Sequence, residues 1–395
     1  MTKTANIKEP TSIWNRSFIL VCIAAVFMHF GMQMSQGILA PYTAALGGSA
    51  SEVGMVTSAF ALTALLLKAI SAPILDSFNR KKVFSIAMLG TAVAFTGYAF
   101  STSVFMVGTF SLVRGAAMAF TSTAALVIAT DFLPKNQLGK GIGIFTLAQA
   151  ICQALAPMIA LNLALVIGYE GAYMVAAVVE VLGSLVVLTI KRPSCGTEPF
   201  RISLSSMLAK EAAMPAIVLA LMCGSFFSIY TFVVLYGLDQ GISQEYVGSF
   251  FLVLAGAMLL SRPLMGSLSD KIGFKKAMVP ALVSYAAGFA LLSQVDSLFG
   301  FCVVAVLMAF GYGVAQPLTQ ALAMKLVPPE HFGAASCTCY VGNDIGALIG
   351  PNIAGLLVEL LGCSSMWLCM LVPVAFALVV VVAYPLEGRE SEVKL

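Results

Sequence analysis

The chain has 395 residues, of which 60% are hydrophobic and 10% charged, and its mean hydropathy is +0.97. These values lie far from those of soluble globular domains and predict an integral membrane protein. The net charge of +3 comes from basic residues between apolar segments, so it gives no support to a nucleic-acid partner.

Twelve apolar segments are each long enough, at about 20 residues, to cross the hydrocarbon core as a helix. In chain order, spans one to twelve lie at roughly 17–45, 50–75, 83–102, 104–130, 140–166, 171–190, 213–238, 246–269, 277–295, 298–324, 334–360 and 364–385. These runs are unbroken, whereas a β-barrel would show alternating segments of about 10 residues. The sequence therefore predicts an all-α integral membrane fold with twelve transmembrane helices.

The basic residues predict the orientation in the membrane. Apart from Lys68, Arg114 and Arg262, which lie within spans, all of the 21 Lys and Arg residues fall at one side of the span map. Cytoplasmic loops retain positive charge, so we expect a multi-pass protein of the inner (cytoplasmic) membrane with both termini in the cytoplasm. The polar segment 1–16 shows no small-residue cleavage site, so we expect span one to be retained.

The second half of the sequence repeats the first at a constant offset of 194 residues, with Tyr42 over Tyr236 and Gly54 over Gly248. Two parallel repeats are a recurrent transporter plan, with the substrate site at their interface near the bilayer midplane. The predicted units are an N-terminal six-helix bundle (1–190), a cytoplasmic linker (191–212) and a C-terminal six-helix bundle (213–395).

The loop after span eight contains Gly266, Asp270, Gly273, Lys275 and Lys276 in the order Gly-Ser-Leu-Ser-Asp-Lys-Ile-Gly-Phe-Lys-Lys. In this pattern the chain resembles the major facilitator superfamily, whose loop after span two reads roughly G-x-x-x-D-x-x-G-R-[KR]. The first-half copy has lost its glycines but keeps the acid and the bases. The resemblance implies a latch between conformations, with plain solvated loop charge as the alternative. The latch candidates are Asp76, Arg80, Asp270 and Lys275.

Two other motifs carry the same resemblance. Arg114 resembles the arginine of the fourth span, which the family associates with proton transfer. Antiporter members carry G-x-x-x-G-P-x-x-x-G in span five, but here span five keeps only Pro157 and the intact pattern lies in span eleven, around Pro351. The segment that begins at Arg262 resembles the bacterial drug and metabolite efflux branch, which includes drug:proton antiporters.

Ionisable side chains inside the membrane cost at least about 2.5 to 3.5 kcal/mol each, so each is a functional hypothesis. We expect Arg262 to pair with Asp344, because spans eight and eleven pack together in the family; the pair would be structural or a proton-linked switch. Lys68 has no such partner in the repeat and would meet Glu180, bind an anion or lose its charge. The proton-coupling candidates are His29, Arg114, Glu180 and Asp344.

Two of these candidates have open alternatives. The apolar neighbours of Glu180 favour its protonated form, but span six is peripheral in the family, and the residue would then be a lipid-edge carboxylate. Histidine has an unperturbed pKa of about 6.5, which suits proton coupling, although a lone His29 on a helix is more often structural.

Polar and aromatic side chains form stripes on the spans that line the cavity in this family. They would converge on one central pocket and contact substrate, or else bond neighbouring helices together. The predicted substrate-binding residues are His29, Gln33, Gln36, Lys68, Arg114, Gln149, Gln153, Phe227, Tyr230, Arg262, Tyr312, Gln316, Gln320, Tyr340 and Asn343.

The sequence predicts a secondary active transporter that moves a small organic solute by alternating access, with proton-coupled efflux favoured. Three buried cations against two acids favour an organic anion or zwitterion, while the Met, Phe and Tyr content equally suits amphipathic drug-like compounds. An uptake symporter or uniporter for a carboxylate metabolite remains open. We expect protons and the lipid bilayer as partners, a monomer, and neither cofactor nor metal.

A membrane-embedded enzyme is the alternative from another class. It would need a metal cluster, or a nucleophile with its base, near one interface. His29 and His331 are the only histidines and lie far apart in the repeat, and no G-x-x-x-x-G-K-[ST] loop is present for an ATPase.

Overall fold

The computed structural model describes residues 12–134, 137–190, 208–328 and 331–384, and these ranges form a bundle of α-helices. The first-half helices are α1 (Arg16–Ala45), α2 (Ala50–Ser77), α3 (Arg80–Ala99), α4 (Val104–Asp131) and α5 (Leu138–Leu188). The second-half helices are α6 (Ala213–Asp239), α7 (Gln244–Val247), α8 (Ser249–Ile272), α9 (Phe274–Leu292), α10 (Leu298–Lys325), α11 (Phe332–Leu361), α12 (Cys363–Cys369) and α13 (Leu371–Ala383).

Several helices begin where the sequence offers a side-chain oxygen to their free N–H groups. Asn15 caps α1 by accepting from the Phe18 N–H at 2.9 Å. Ser49 and Glu52 form a reciprocal capping box at the start of α2. These polar residues fix the helix starts where the apolar runs themselves give no boundary.

Helix α5 contains two of the predicted spans. As one straight helix its 51 residues would extend about 76 Å, more than twice the hydrocarbon thickness of about 30 Å. Gly168 interrupts it with φ 75° and ψ 168°, so the chain turns and crosses a second time. The described residues contain 11 helices long and apolar enough to span a membrane, and because α5 crosses twice the twelve-span prediction is confirmed.

Gly168 is a position where a side chain should be costly. Its backbone angles lie in a region that is essentially restricted to glycine, so Gly168→Ala is expected to cost about 1 to 3 kcal/mol. The midpoint of thermal unfolding in detergent should fall. Gly143→Ala is the matched control, because Gly143 is helical in the same α5 and has open space at its Cβ position. An unchanged midpoint for Gly168→Ala, relative to this control, would contradict the turn geometry.

The helices pack as two six-helix bundles, as predicted. In the first half α5 packs against α1 and α3, and α2 packs against α4; in the second half α11 packs against α6, and α10 packs against α8 and α9. The halves meet where α2 packs along α11, α5 along α8 and α1 along α6. Because residues 191–207 lie outside the described ranges, the predicted boundaries of the linker stay a prediction.

The two ends of the bundle differ in charge and in contact. We call the end that carries Arg80 and Lys275 the basic end, and the other, where Leu46 ends α1, the opposite end. At the opposite end Glu359 on α11 accepts hydrogen bonds from the Ser51 N–H at 3.0 Å and the Ser51 hydroxyl at 2.7 Å. These bonds tie the two halves together at that end.

Close backbone contact accompanies those hydrogen bonds. A Cβ on Gly54 of α2 would collide with the Pro351 carbonyl oxygen of α11, and one on Gly355 would collide with Ala50. One helical turn further in, the Asn352 amide donates to the Ser58 hydroxyl at 2.7 Å. The structure is therefore closed between α2 and α11 at the opposite end.

Candidate functional site

A cavity of about 170 Å³ lies between the two halves. Helices α1, α2, α4 and α5 form its walls on one side, and α6 forms the wall on the other. The lining residues are His29, Met32, Gln33, Gln36, Phe60, Arg114, Met118, Ser122, Gln153, Phe226, Phe227 and Tyr230. Polar groups of the first half thus face an aromatic wall from the second, and we call this space the central cavity.

Many of the predicted substrate-binding residues lie together in the central cavity. They are His29, Gln33, Gln36, Arg114, Gln153, Phe227 and Tyr230. The Gln153 amide donates to the Tyr230 hydroxyl at 2.9 Å, which links α5 to α6 across the halves. The contact of these side chains with a substrate stays a prediction.

Several lining residues escaped prediction from the sequence. Phe60, Met32 and Met118 are apolar residues in apolar helices, so nothing in the local pattern distinguishes them from lipid-facing side chains. Phe226 stacks on Tyr312 with ring centroids 3.7 Å apart and planes at 11°. Its position directly before Phe227, a predicted residue, was the only available signal.

Among the described residues that line the central cavity, Arg114 carries the charged side chain. It is 3% exposed, and its Nη1 donates to the Ser35 hydroxyl at 3.1 Å. Its Cζ lies 4.6 Å from the centroid of the Phe60 ring, which is cation–π distance. Within the described residues, Nε and Nη2 of this guanidinium are buried without a hydrogen-bond partner. His29 Nε2 is unpartnered in the same way.

The predicted ion pair between Arg262 and Asp344 is wrong. Asp344 Oδ2 lies 2.9 Å from Nζ of Lys68, and the two side chains are only 12% and 27% exposed. Nζ of Lys68 also lies 4.8 Å from the ring centroid of Tyr340. The reason is the packing of α11 along α2 of the other half, which brings Lys68 to Asp344. Lys68 therefore pairs with Asp344, a partner that comparison of the two repeats does not predict.

Arg262 lies elsewhere. It lines a separate cavity of about 290 Å³ within the second half, together with Lys325 at the end of α10. Its Nε donates to the Gly313 carbonyl at 3.4 Å. Helix α8 packs on α10, which accounts for this contact.

The remaining predicted residues do not appear in the lining of the central cavity. Cys223 connects two of them, since its thiol lies 3.2 Å from the Tyr312 hydroxyl and donates to the Asn343 side-chain oxygen at 2.7 Å. Gln149, Gln316 and Gln320 are half-buried.

Glu180 is fully buried, so the alternative of a lipid-edge carboxylate is wrong. A Cβ on Gly31 would lie 2.8 Å from Oε1 of Glu180, which places the carboxyl against α1. Gly31 and His29 are two residues apart and hence about 200° apart around the helix. Glu180 thus packs on a face of α1 different from the one that carries His29, and its role in proton coupling stays a prediction.

Both carboxyl oxygens of Glu180 lack a hydrogen-bond partner among the described residues. An unsatisfied buried polar group costs about 1 to 3 kcal/mol, so Glu180→Met, which fills a similar volume, is expected to raise the midpoint of thermal unfolding. Glu170→Met is the matched control, because Glu170 is exposed in the same α5 and should change little. A lower midpoint for Glu180→Met than for the control would mean that the carboxyl is stabilised by a partner.

The predicted latch is described only in part. Arg80 Nη1 lies 2.9 and 3.0 Å from the two carboxylate oxygens of Asp131, which joins the start of α3 to the end of α4. Nζ of Lys275 donates to the Val382 carbonyl at 2.9 Å. The side chains of Asp76 and Asp270 lie outside the described part of the structure, so the latch stays a prediction.

Known proteins resemble the chain over most of its length. It is 24% identical over 375 residues to a multi-drug resistance efflux pump PmrA homolog of Lactococcus lactis subsp. lactis, covering 90% of each chain. It is 22% identical over 365 residues to an uncharacterized MFS-type transporter of Methanocaldococcus jannaschii, covering 89% of this chain and 94% of that one.

Solved structures show the same fold. A mutant of the nucleoside transporter NupG has a TM-score of 0.80 at 16% identity and covers 93% of this chain and 99% of its own. A POT family transporter in complex with a thioalcohol conjugated peptide has a TM-score of 0.79 at 14% identity, covering 95% and 97%. The sequence model described as Major Facilitator Superfamily matches residues 21–263 and 216–395, and the chain is therefore a membrane transporter that belongs to this superfamily.

Proposed function

We propose that the chain is a proton-coupled exporter of small amphipathic organic compounds, which it binds in the central cavity. The observation that carries this proposal is the lining of the central cavity, which combines Phe, Tyr and Met side chains with Gln, His and Arg groups. Mostly apolar pockets with a few placed polar groups are typical ligand sites. A relative of similar length is named a multi-drug resistance efflux pump, which supports export of compounds of mixed character.

Transport would proceed by rocking of the two units, 1–190 and 213–395, about the central cavity. The hydrogen bonds of Ser51 with Glu359 and of Ser58 with Asn352 stabilise the state that is closed at the opposite end. In the other state these bonds break and the halves separate there. Ligands shift such an equilibrium only by binding the two states unequally.

The ion pair of Lys68 with Asp344 is the contact that we assign to proton coupling. It joins the two halves, so protonation of Asp344 would remove an attraction that exists only while α2 and α11 are together. The titratable groups around the carboxyl are Lys68 on α2, Cys223 on α6 and Cys337 on its own helix. Proton binding would thereby weaken one conformation relative to the other.

The orientation and assembly are part of the same proposal. The basic end would face the cytoplasm, with the chain in the cytoplasmic membrane and both termini on the cytoplasmic side, because cytoplasmic loops retain Lys and Arg. Each six-helix half contributes one wall of the central cavity, so a single chain supplies a complete site. We therefore propose that the transporter acts as a monomer.

The test is gradient-driven flux in proteoliposomes that contain the full chain. With the lumen more acidic than the bath, a proton antiporter should accumulate 2-naphthoate in the lumen. A permeant weak acid is passively excluded from an acidic lumen, so passive permeation cannot produce this accumulation. Tetraphenylphosphonium tests a lipophilic cation in the same way, and protein-free vesicles are the control. Dissipating the gradient should stop accumulation.

The opposite results would overturn the proposal. Accumulation driven by an alkaline lumen, beyond that of protein-free vesicles, would identify a symporter. Flux that ignores the gradient would identify a uniporter and remove proton coupling.

A further inference from the structure

The unpartnered nitrogens of Arg114 define a binding geometry. Nε and Nη2 lie along one edge of the planar guanidinium, and their N–H bonds are parallel, which is the fork that accepts a carboxylate through both of its oxygens. The remaining nitrogen, Nη1, is occupied by the Ser35 hydroxyl. The edge that is left is the side-on edge of the guanidinium. Both of its nitrogens are buried, and the residue as a whole lines the central cavity.

The surroundings of Arg114 leave its charge unbalanced. The described residues that line the central cavity include no Asp or Glu. Asp344, an acid on α11, is bound to Lys68. The Phe60 ring compensates a part of the charge, but Arg114 is 3% exposed, and two of its guanidinium nitrogens have no acceptor among the described residues. Burial of a charge without hydrogen bonds is costly, and an anionic ligand group would offset that cost.

The rest of the cavity specifies the body of the ligand. Phe226, Phe227 and Tyr230 present aromatic rings, and Met32 and Met118 present flexible thioethers. The volume of about 170 Å³ is below the usual range of about 300 to 1,000 Å³ for drug-sized ligands. A compact compound with one or two rings fits this space better than a large drug.

We propose that the transported compound is a compact aromatic or amphipathic carboxylate, whose two carboxylate oxygens accept from Nε and Nη2 of Arg114. This inference rests on the proposed function and narrows its substrate class. Lysine has one ammonium and lacks the parallel fork, so arginine is required for bidentate binding and not merely for charge. His29, with its own unpartnered nitrogen, lies on the same cavity wall.

The test is equilibrium binding of tritiated 2-naphthoate to the purified full chain in detergent, without a gradient. Unlabelled 2-naphthamide has nearly the same shape and no charge, so it should compete at least tenfold more weakly than 2-naphthoate, which corresponds to about 1.4 kcal/mol. Arg114→Gln should remove this preference and leave the affinity for 2-naphthamide unchanged. Arg114→Lys should retain only part of the preference.

Arg16→Gln is the matched control, because it removes an exposed arginine at the start of α1 that does not line the central cavity, and it should keep the preference. Equal competition by the amide, absence of 2-naphthoate binding, or a preference that survives Arg114→Gln would overturn the proposal. Loss of the preference in a further variant, Arg262→Gln, would show that Arg262, and not Arg114, binds the anion. Sodium chloride that displaces 2-naphthoate as effectively as the unlabelled carboxylate would show an inorganic anion site instead.

The binding assay tests the Arg114 site and the flux assay tests the exporter, so either proposal can be refuted without the other. A carboxylate preference without gradient-driven flux would refute the exporter and leave the Arg114 site standing. Gradient-driven flux without a carboxylate preference would leave the exporter and refute the site.

Discussion

Replacing Asp344 by Asn is expected to abolish gradient-driven transport and to leave binding in the central cavity intact. Asn has the size of Asp but no charge, so it imitates the protonated carboxyl and cannot release a proton. Lys68 then loses the partner that it holds at 2.9 Å across the halves. Accumulation of 2-naphthoate should fall to the level of protein-free vesicles, while exchange of labelled for unlabelled 2-naphthoate continues without a gradient.

The size of this effect follows from the burial of the ion pair. Removal of one partner from a buried pair costs about 3 to 5 kcal/mol. The Lys68 and Asp344 side chains are partly exposed, and solvent screening reduces the expected cost to about 1 to 3 kcal/mol. A difference of that size changes the ratio of two conformations by about 5- to 150-fold. The state closed at the opposite end should lose population accordingly.

Two companion variants test the pair itself. The double variant Lys68→Met with Asp344→Asn removes both charges, so it should lose less stability than the two single variants together. It should also remain uncoupled, because the proton acceptor is gone. If Asp344→Asn still accumulates 2-naphthoate under the gradient at the rate of the unaltered protein, Asp344 does not carry the coupled proton.

The sequence predicted the helices and their two-fold organisation because both depend on local hydropathy and on repetition. Span two was placed at 50–75, and α2 runs from Ala50 to Ser77. The kink at Gly168 falls in the predicted gap between spans five and six. In each case a polar cap or a glycine interrupts an apolar run, and such interruptions are visible in a single sequence.

Contacts between the halves could not be predicted in the same way. The repeat shows which helices are equivalent, but it contains no information on which helix of one half touches which helix of the other. Asp344 was therefore assigned to Arg262 within its own half, whereas α11 lies along α2 and presents it to Lys68. The sequence left open whether Glu180 is buried or at the lipid edge for a related reason, since a helix that is apolar on all sides does not show which face is buried.

Replacing Gly54 by Ala is expected to open the opposite end and to slow transport at least about fivefold. The new Cβ would collide with the carbonyl oxygen and carbon of Pro351, which are backbone atoms and cannot rotate away. Overpacking of this kind costs about 1 to 3 kcal/mol. The cost raises the free energy of the state in which α2 and α11 touch. That state is therefore less populated, and transport, which passes through it, becomes slower. The measurements are gradient-driven flux and the midpoint of thermal unfolding.

The internal repeat supplies graded controls for this experiment. Gly248 is the repeat mate of Gly54, and a Cβ there would lie 3.0 Å from the Met158 Cα, so Gly248→Ala should have a smaller effect of the same sign. Gly256 has open space at its Cβ position, so Gly256→Ala should leave flux unchanged. An order of effect other than Gly54, then Gly248, then Gly256 would show that closure at the opposite end does not depend on backbone contact between the halves. The expected order would instead show that the contact of α2 with α11 opposes opening more strongly than the repeat-related contact of Gly248 with α5.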